Sequence, residues 1–329
     1  MSEGIPDWLR QPLLLEPYLR PMPWGGTRLP EWLARPASPE PIGEAWLVSD
    51  HPLHFSRIVN IPEVEVTLRE LVQHWPTAVL GYPGRRFPLL VKLIDARENL
   101  SVQVHPDDTA ARVWAPQEGG KTEAWLVLDA APHGTIYLGL KPGITREVLL
   151  RELPLGTLPL CLKTYPAKVG QCYFVPAGTV HALGAGVCVL EVQQSSDATF
   201  RLYDWGRVDA QGKPRPLHIE AALAVLHEST PHAGPTTPID RGNGLEELLQ
   251  CPYFTLYRLY LREPYRLQAP VIVVALSHHL NIAANGEAVR LPPGHAALLP
   301  ACAPEATLTS DTPGPCCLVT WPTTATGPG

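Results

Sequence analysis

Four side chains in this sequence have the types and spacing to hold one metal ion. Residues 170–181 follow the pattern Gly170-x5-Pro176-x-Gly178-x2-His181. Pro176 fixes its φ and Gly178 permits positive φ, so a strand ending near residue 175 reverses sharply and aims His181 inward. Upstream, Gln103 and His105 stand two apart in the β-favouring run 100–104 and its flank. Side chains at i and i+2 share a strand face, so both point inward if either does, with Val102 and Val104 on the other face. Glu123 opens the next apolar run and adds an anionic oxygen. Imidazole, amide and carboxylate together form a mixed N/O donor set of the kind zinc accepts. The expected cofactor is one zinc per chain.

Two further features lie beside these residues. Lys121 is two positions before Glu123, and an extended backbone puts both on one face, so a cation stands next to the metal. Ser101 bears the same relation to Gln103, and could donate a hydrogen bond to a bound anion.

The elements that must position this set are short strands. Strand-like runs cover residues 43–48, 88–94, 100–104, 123–128, 134–138, 171–175, 187–193 and 199–203. Helices are expected from the capping box Thr67-Leu-Arg-Glu70 through Trp75, over one or two turns in 106–114, and over 145–153 and 217–227. Residues 21–26, with Pro21, Pro23, Gly25 and Gly26, read as turns. Breakers crowd residues 229–238. The expected organisation is a metal-bearing unit with helical elements over 1–228, a linker over 229–244, and a smaller all-β unit over 245–329. In that second unit Gly294-His-Ala-Ala-Leu-Leu-Pro300 repeats half of the first motif but lacks its second glycine and its histidine. His278 and His279, as strand neighbours, face opposite sides, so no metal is expected there. The tail 322–329 offers nothing to bury and is expected to be disordered.

Composition narrows the function classes. Prolines number 38 and charged residues make up only 18%, which favours short elements and turns over long helices. A net charge of -6 without a Lys/Arg cluster argues against nucleic acid as a partner. No apolar run approaches the ~20 residues of a membrane helix, and the first residues do not read as a signal peptide, so a soluble protein is expected. Seven cysteines without a C-x-x-C are expected to be free thiols in a reducing cytoplasm.

The motif ending at His181 resembles the second signature of the cupin β-barrels, in which that histidine is a metal ligand. The chain as a whole resembles the type I phosphomannose isomerases. The resemblance rests on Phe87-Pro-Leu-Leu-Val-Lys-Leu-Ile-Asp-Ala96, Leu100-Ser-Val-Gln-Val-His-Pro-Asp-Asp108, Gly120-Lys-Thr-Glu-Ala-Trp125 and Glu191-Val-Gln-Gln-Ser-Ser-Asp-Ala-Thr-Phe-Arg201, with Trp24-Gly-Gly26 and Gly43-Glu-Ala-Trp46 near the start.

It implies a mainly β fold of two cupin-type (jelly-roll) barrels with a small helical portion, in a compact bacterial-type form. It also implies a zinc-dependent aldose-ketose isomerase that interconverts mannose 6-phosphate and fructose 6-phosphate. In the family the ligands fall at Gln103, His105, Glu123 and His181, and functional residues at Lys121, Glu191 and Arg201, with Asp197 in the same matched segment.

Such a reaction moves a proton between adjacent carbons through an enediol and requires a base, an oxyanion stabiliser and a phosphate anchor. Arg201 suits the anion because its planar fork makes two parallel bonds; Ser101 and Lys121 are further contacts to substrate. Either Glu191 or Asp197 could be the base. Two rivals remain open: an isomerase of another hexose 6-phosphate such as glucose 6-phosphate, and a non-catalytic sugar-binding cupin. The expected partner is a small phosphosugar, with no membrane, and the protein is expected to be a cytoplasmic monomer or weak homo-oligomer.

Overall fold

A computed structural model describes residues 4–62, 64–209 and 211–323. The expected disorder of the tail falls mostly on residues 324–329, outside the described residues. The chain is mainly β and is built, among the described residues, from four larger sheets and one two-stranded sheet, flanked by short helices.

Two of the sheets hold the residues singled out above. The first has seven strands in the order Gly234–Pro235, Cys172–Val175, Glu123–Ala130, Val187–Gln194, Leu89–Ala96, Tyr18–Gly26 and Ile42–Val48. The second has five: Leu162–Pro166, Thr135–Leu140, His181–Leu183, Val102–Val104 and Phe200–Tyr203. Their facing sides share a core that includes Ile94, Trp125, Val127, Ile136, Leu138 and Val189. Behind the five-stranded sheet, Val102 and Val104 pack with Ala222 and Val225 of the helix Ile219–Val225 and with Leu149 of the helix Arg146–Glu152.

The outer face of the first sheet, through Val91, Leu93, Ala124, Leu126, Leu190 and Val192, packs on a second seven-stranded sheet. Two buried faces explain why Leu89–Ala96 and Val187–Gln194 are buried along their whole length. The alternation still has a consequence. With Val91 and Leu93 outward, Lys92 must point inward, and with Leu190 and Val192 outward, so must Glu191.

The second seven-stranded sheet and a four-stranded partner enclose a separate apolar core of Leu259, Val271, Val273, Leu280, Ile282, Leu291 and Leu308 among others. Most of this unit comes from residues 239–320, but Leu13–Leu15 crosses over to pair antiparallel with Ala296–Leu298, so the amino-terminal end of the chain completes the carboxy-terminal sheet. Within the expected linker, Gly234–Pro235 adds to the edge strand Cys172–Val175, and Ile239–Gly242 forms the edge of the second seven-stranded sheet.

Several local expectations are met. Thr67 and Glu70 form the reciprocal capping box of the helix Leu68–His74, and Asp107 caps Asp108–Trp114. The main correction concerns residues 21–26, which belong to the strand Tyr18–Gly26 and not to free turns. Its register against Ile42–Val48 shifts at Pro21 and again before Gly26, so the prolines fall at irregularities of the ladder. Gly25 lies so close to this neighbour that an added Cβ would meet the Gly43 nitrogen at 2.4 Å.

Candidate metal centre and adjoining pocket

The turn before His181 forms as its residues dictate. Gly178 has φ +79°, and a Cβ there would run into the ring of His227 at 2.5 Å. Its amide donates to the carbonyl of His105 at 2.8 Å, so the turn is tied directly to the strand that carries Gln103 and His105. His181 in turn pairs with Gln103 across the ladder.

The result is a compact buried cluster in which ligand atoms of His105, Glu123 and His181 all lie within 4.8 Å of one another. Glu123 Oε1 is 3.3 Å from His181 Nε2, and Glu123 Oε2 is 3.5 Å from His105 Nε2. Backbone carbonyls fix both imidazoles. His105 Nδ1 donates to Ala198 O at 2.7 Å and His181 Nδ1 to Thr179 O at 2.9 Å. A carbonyl can only accept, so each Nδ1 carries the proton and each Nε2 presents a lone pair to the cluster.

Burial, reinforced by the Lys121 charge, lowers the pKa of both rings, His181 to about 3 and His105 well below the ordinary value, which keeps them in the neutral form a metal requires. Lys121 Nζ contacts His105 Nε2 at 2.9 Å and Glu123 Oε2 at 2.5 Å. Glu123 Oε1 is buried with no hydrogen-bond donor. Two lone pairs and an unsatisfied carboxylate oxygen facing one point fit a divalent cation. The amide of Gln103 lies 3.3 Å from His181 Nε2, and a half-turn of that amide would present its oxygen instead.

Gln103 and Lys121 also line a cavity of about 230 Å³ beside the cluster. Ser101, Glu191, Asp197 and Arg201 line the same cavity, so the structure brings all the polar residues singled out from sequence to one place. Sequence reasoning missed Arg20, Glu44, Lys92 and Arg215, which are also in its wall.

Lys92 is almost fully buried, with Glu191 Oε2 at 3.4 Å and Glu44 Oε2 and Asp197 Oδ1 each at 3.8 Å. Burial alone would lower its pKa, but the three carboxylates outweigh that and raise it. Arg20 bridges Glu44 and Asp197 at 3.3 and 3.1 Å. Burial disfavours the charged Asp197, but Lys92, Arg20 and Lys121 prevail and lower its pKa. Trp125, two positions after Glu123, joins the two halves of the site. Its indole N–H donates to Glu191 Oε1 at 2.9 Å and its ring stands edge-on to His181 at 5.4 Å.

The opposite wall is cationic. Arg201 pairs with no carboxylate among the described residues; its Nη1 donates to Pro216 O at 2.8 Å and its Nε is buried without a partner. Burial lowers its pKa, helped by Arg215 and Arg207. Arg215 and Arg207 share Asp204, which Arg215 grips at both oxygens. Glu191 pairs with Lys92 at 3.4 Å and not with Arg201. A larger cavity of about 950 Å³, lined by Leu126, Lys168, Arg258 and Tyr260 among others, lies between the two units, contains no carboxylate, and plays no part in this arrangement.

Comparison with known proteins gives the same direction. Residues 13–123 match the family model for the type I phosphomannose isomerase catalytic domain. The chain is 38% identical over 255 residues to the probable mannose-6-phosphate isomerase GmuF of Bacillus subtilis, covering 76% of this chain and 80% of the relative. It is 36% identical over 273 residues to the mannose-6-phosphate isomerase of Streptococcus mutans, covering 82% and 85%. Among solved structures, the mannose 6-phosphate isomerase of Bacillus subtilis superposes with a TM-score of 0.85 at 32% identity, covering 94% of this chain and 99% of that one.

Proposed function

This chain belongs to the type I phosphomannose isomerase family and is an isomerase, and from that premise we propose that it interconverts D-mannose 6-phosphate and D-fructose 6-phosphate on one zinc ion. One observation carries the reading: the His105–Glu123–His181 cluster adjoins, through Gln103 and Lys121, a cavity whose wall combines the carboxylates Glu44, Glu191 and Asp197 with a larger number of lysines and arginines.

Gln103, His105, Glu123 and His181 would hold the zinc, which when bound supplies a Lewis acid toward a sugar oxygen. Arg201, with no carboxylate of its own, takes the phosphate, and Ser101, just before the neighbouring strand Val102–Val104, adds a donor. Lys121, held against the cluster, stabilises the negative charge that develops on the sugar oxygen during enediol formation. Glu191 is the better placed of the two candidate bases. Its Oε1 is occupied by Trp125, and its Oε2, 3.4 Å from the Lys92 ammonium, accepts no hydrogen bond, so a lone pair there can take the proton between carbons 1 and 2. Asp197 is engaged by Arg20 and Lys92 and remains anionic, which suits holding a sugar hydroxyl or opening the ring. Lys92 stays protonated and keeps these two acids from repelling each other.

In the same reading residues 1–228 carry the chemistry, 229–244 pass the chain across, and 245–329 form a second cupin unit without metal. No described helix is long and apolar enough to cross a membrane, and a small charged substrate suits a cytoplasmic setting. The test is a coupled assay with zinc-loaded protein across hexose 6-phosphates. Turnover of mannose 6-phosphate well above glucose 6-phosphate supports the reading, while the reverse preference or no turnover of either rejects it.

A further inference from the structure

Glu123, His181, Glu191 and Arg201 lie in strands, and Ser101, His105 and Lys121 directly flank strands or lie within two residues of one, whereas one site segment is longer and irregular. Asp197, and the Ala198 carbonyl that orients His105, lie in residues 195–199, the irregular link between the strands Val187–Gln194 and Phe200–Tyr203. Such a segment needs bonds from elsewhere to hold its shape.

We propose that Glu118 is a positioning residue for this site: His51 clamps its carboxylate, the carboxylate holds the backbone of Asp197, and through that segment the Ala198 carbonyl sets the imidazole of His105. Glu118 Oε2 accepts from the Asp197 amide at 3.0 Å. The neighbouring Gly119 carbonyl accepts from Ser196 Oγ at 2.9 Å, and that hydroxyl oxygen in turn accepts from the Ala198 amide at 3.2 Å. The turn at 118–119 is therefore the surface on which the segment rests.

His51 makes the contact directional. Its Nδ1 accepts from the Leu53 amide at 3.2 Å, so the ring proton is on Nε2, which donates to both Glu118 oxygens at 3.0 and 3.2 Å. His51 is buried and stands edge-on to Trp46, whose indole donates to Glu44 in the wall of the cavity. Burial would push the Glu118 pKa up, but the bonds from His51 and the Asp197 amide outweigh it and hold it down, so the acceptor is an ionised carboxylate and its bonds are charge-assisted. Glu118 does not line the cavity, and it acts through others: on Asp197, which faces Lys92, and on His105, whose Nε2 depends on Nδ1 remaining bound to Ala198 O.

The inference rests on the proposed zinc isomerase, and its test separates the two. Zinc affinity is measured by chelator competition, alongside kcat and KM for mannose 6-phosphate, in Glu118→Ala, Glu118→Gln and His51→Ala. Losing the direct outer partner of a metal-bound imidazole typically costs about 10–100-fold, and Glu118 acts one step further out, so Glu118→Ala weakens zinc binding and kcat by about threefold to tenfold with KM little changed. Glu118→Gln, which keeps an oxygen for the Asp197 amide, recovers most of both. If Glu118→Ala does not fold, His51→Ala reads the same coupling through a smaller loss. Wild-type zinc affinity and kcat in Glu118→Ala, equal losses in Glu118→Gln, or an unaffected His51→Ala overturn the positioning role. A wild-type protein that does not act on mannose 6-phosphate rejects the functional reading instead, while the zinc affinities still decide this one.

Discussion

Trp125 donates its indole N–H to Glu191 Oε1 at 2.9 Å, and this single bond links the strand of the metal cluster to the carboxylate proposed as the base. Both residues are buried, so the bond has no water to replace it. Trp125→Phe keeps an aromatic ring against His181 and removes only the donor. A hydrogen bond to a charged group is worth about 1.5–3 kcal/mol, and kcat for mannose 6-phosphate is expected to fall by roughly one to two orders of magnitude with zinc content unchanged. Unchanged kcat would mean that Glu191 needs no such orientation.

Glu123 has two tasks, toward the metal and toward Lys121. Glu123→Gln retains the shape and removes the charge, so zinc affinity should drop sharply, and the buried Lys121 loses the carboxylate it contacts. Breaking one side of a buried pair typically costs about 3–5 kcal/mol, so the metal-free variant should also melt at a lower temperature than the metal-free parent. Metal analysis and calorimetry check the two parts separately.

Arg201→Ala should lower turnover by orders of magnitude and raise KM for the phosphosugar with zinc retained, because its guanidinium bonds the Pro216 carbonyl and not a ligand atom of the cluster. Near-normal activity would remove Arg201 from the substrate site.

The pH dependence of stability has a predictable sign. His54 stacks on Tyr18 at 4.2 Å, its Nε2 is buried without a partner, and burial lowers its pKa below the ordinary value. The unfolded chain therefore takes up a proton near pH 6.5 that the folded chain refuses until a lower pH, so stability is full above that point and declines as the pH falls through the window between the two pKa values. His54→Phe should keep the stack and remove this share of the decline. Thermal melts from pH 7.5 down to 5 should show a shallower slope for the variant; parallel slopes would contradict the assignment.

Asp108 ties the second unit to the first, since Tyr253 donates to its Oδ2 at 3.0 Å while its Oδ1 accepts from the Gly120 amide at 2.9 Å, next to Lys121. Tyr253→Phe deletes one hydroxyl and should cost about 1–3 kcal/mol in a denaturant melt, since it removes a bond to a charged group. No loss would show that this link is not needed to dock the two units.

What the sequence made legible depended on periodicity and spacing. The turn at Gly178 and the shared face of Gln103 and His105 are local consequences of residue type, and the structure shows both. Lys92 was also within reach: a single lysine inside Leu89–Ala96, flanked by apolar residues on the alternate face, has nowhere to go but the interior, and that signal was overlooked. Arg20 was hidden because Pro21, Pro23 and the glycine pair mark turns in most contexts, while here they sit in a strand whose register shifts absorb them. Arg215 and Glu118 lie in loops, where no periodicity says which way a side chain points, so only the fold could place them.

The central claim is that one metal, held by the buried His105–Glu123–His181 cluster, makes this chain an isomerase of mannose 6-phosphate. The most direct measurement is to strip the protein with a chelator, titrate zinc back, and follow fructose 6-phosphate formation against zinc bound per chain. Activity is expected to disappear on stripping and to return linearly to a break at about one zinc per chain, as a single ligand set requires. Full activity in the stripped protein, or a return that needs two or more metals per chain, would contradict it.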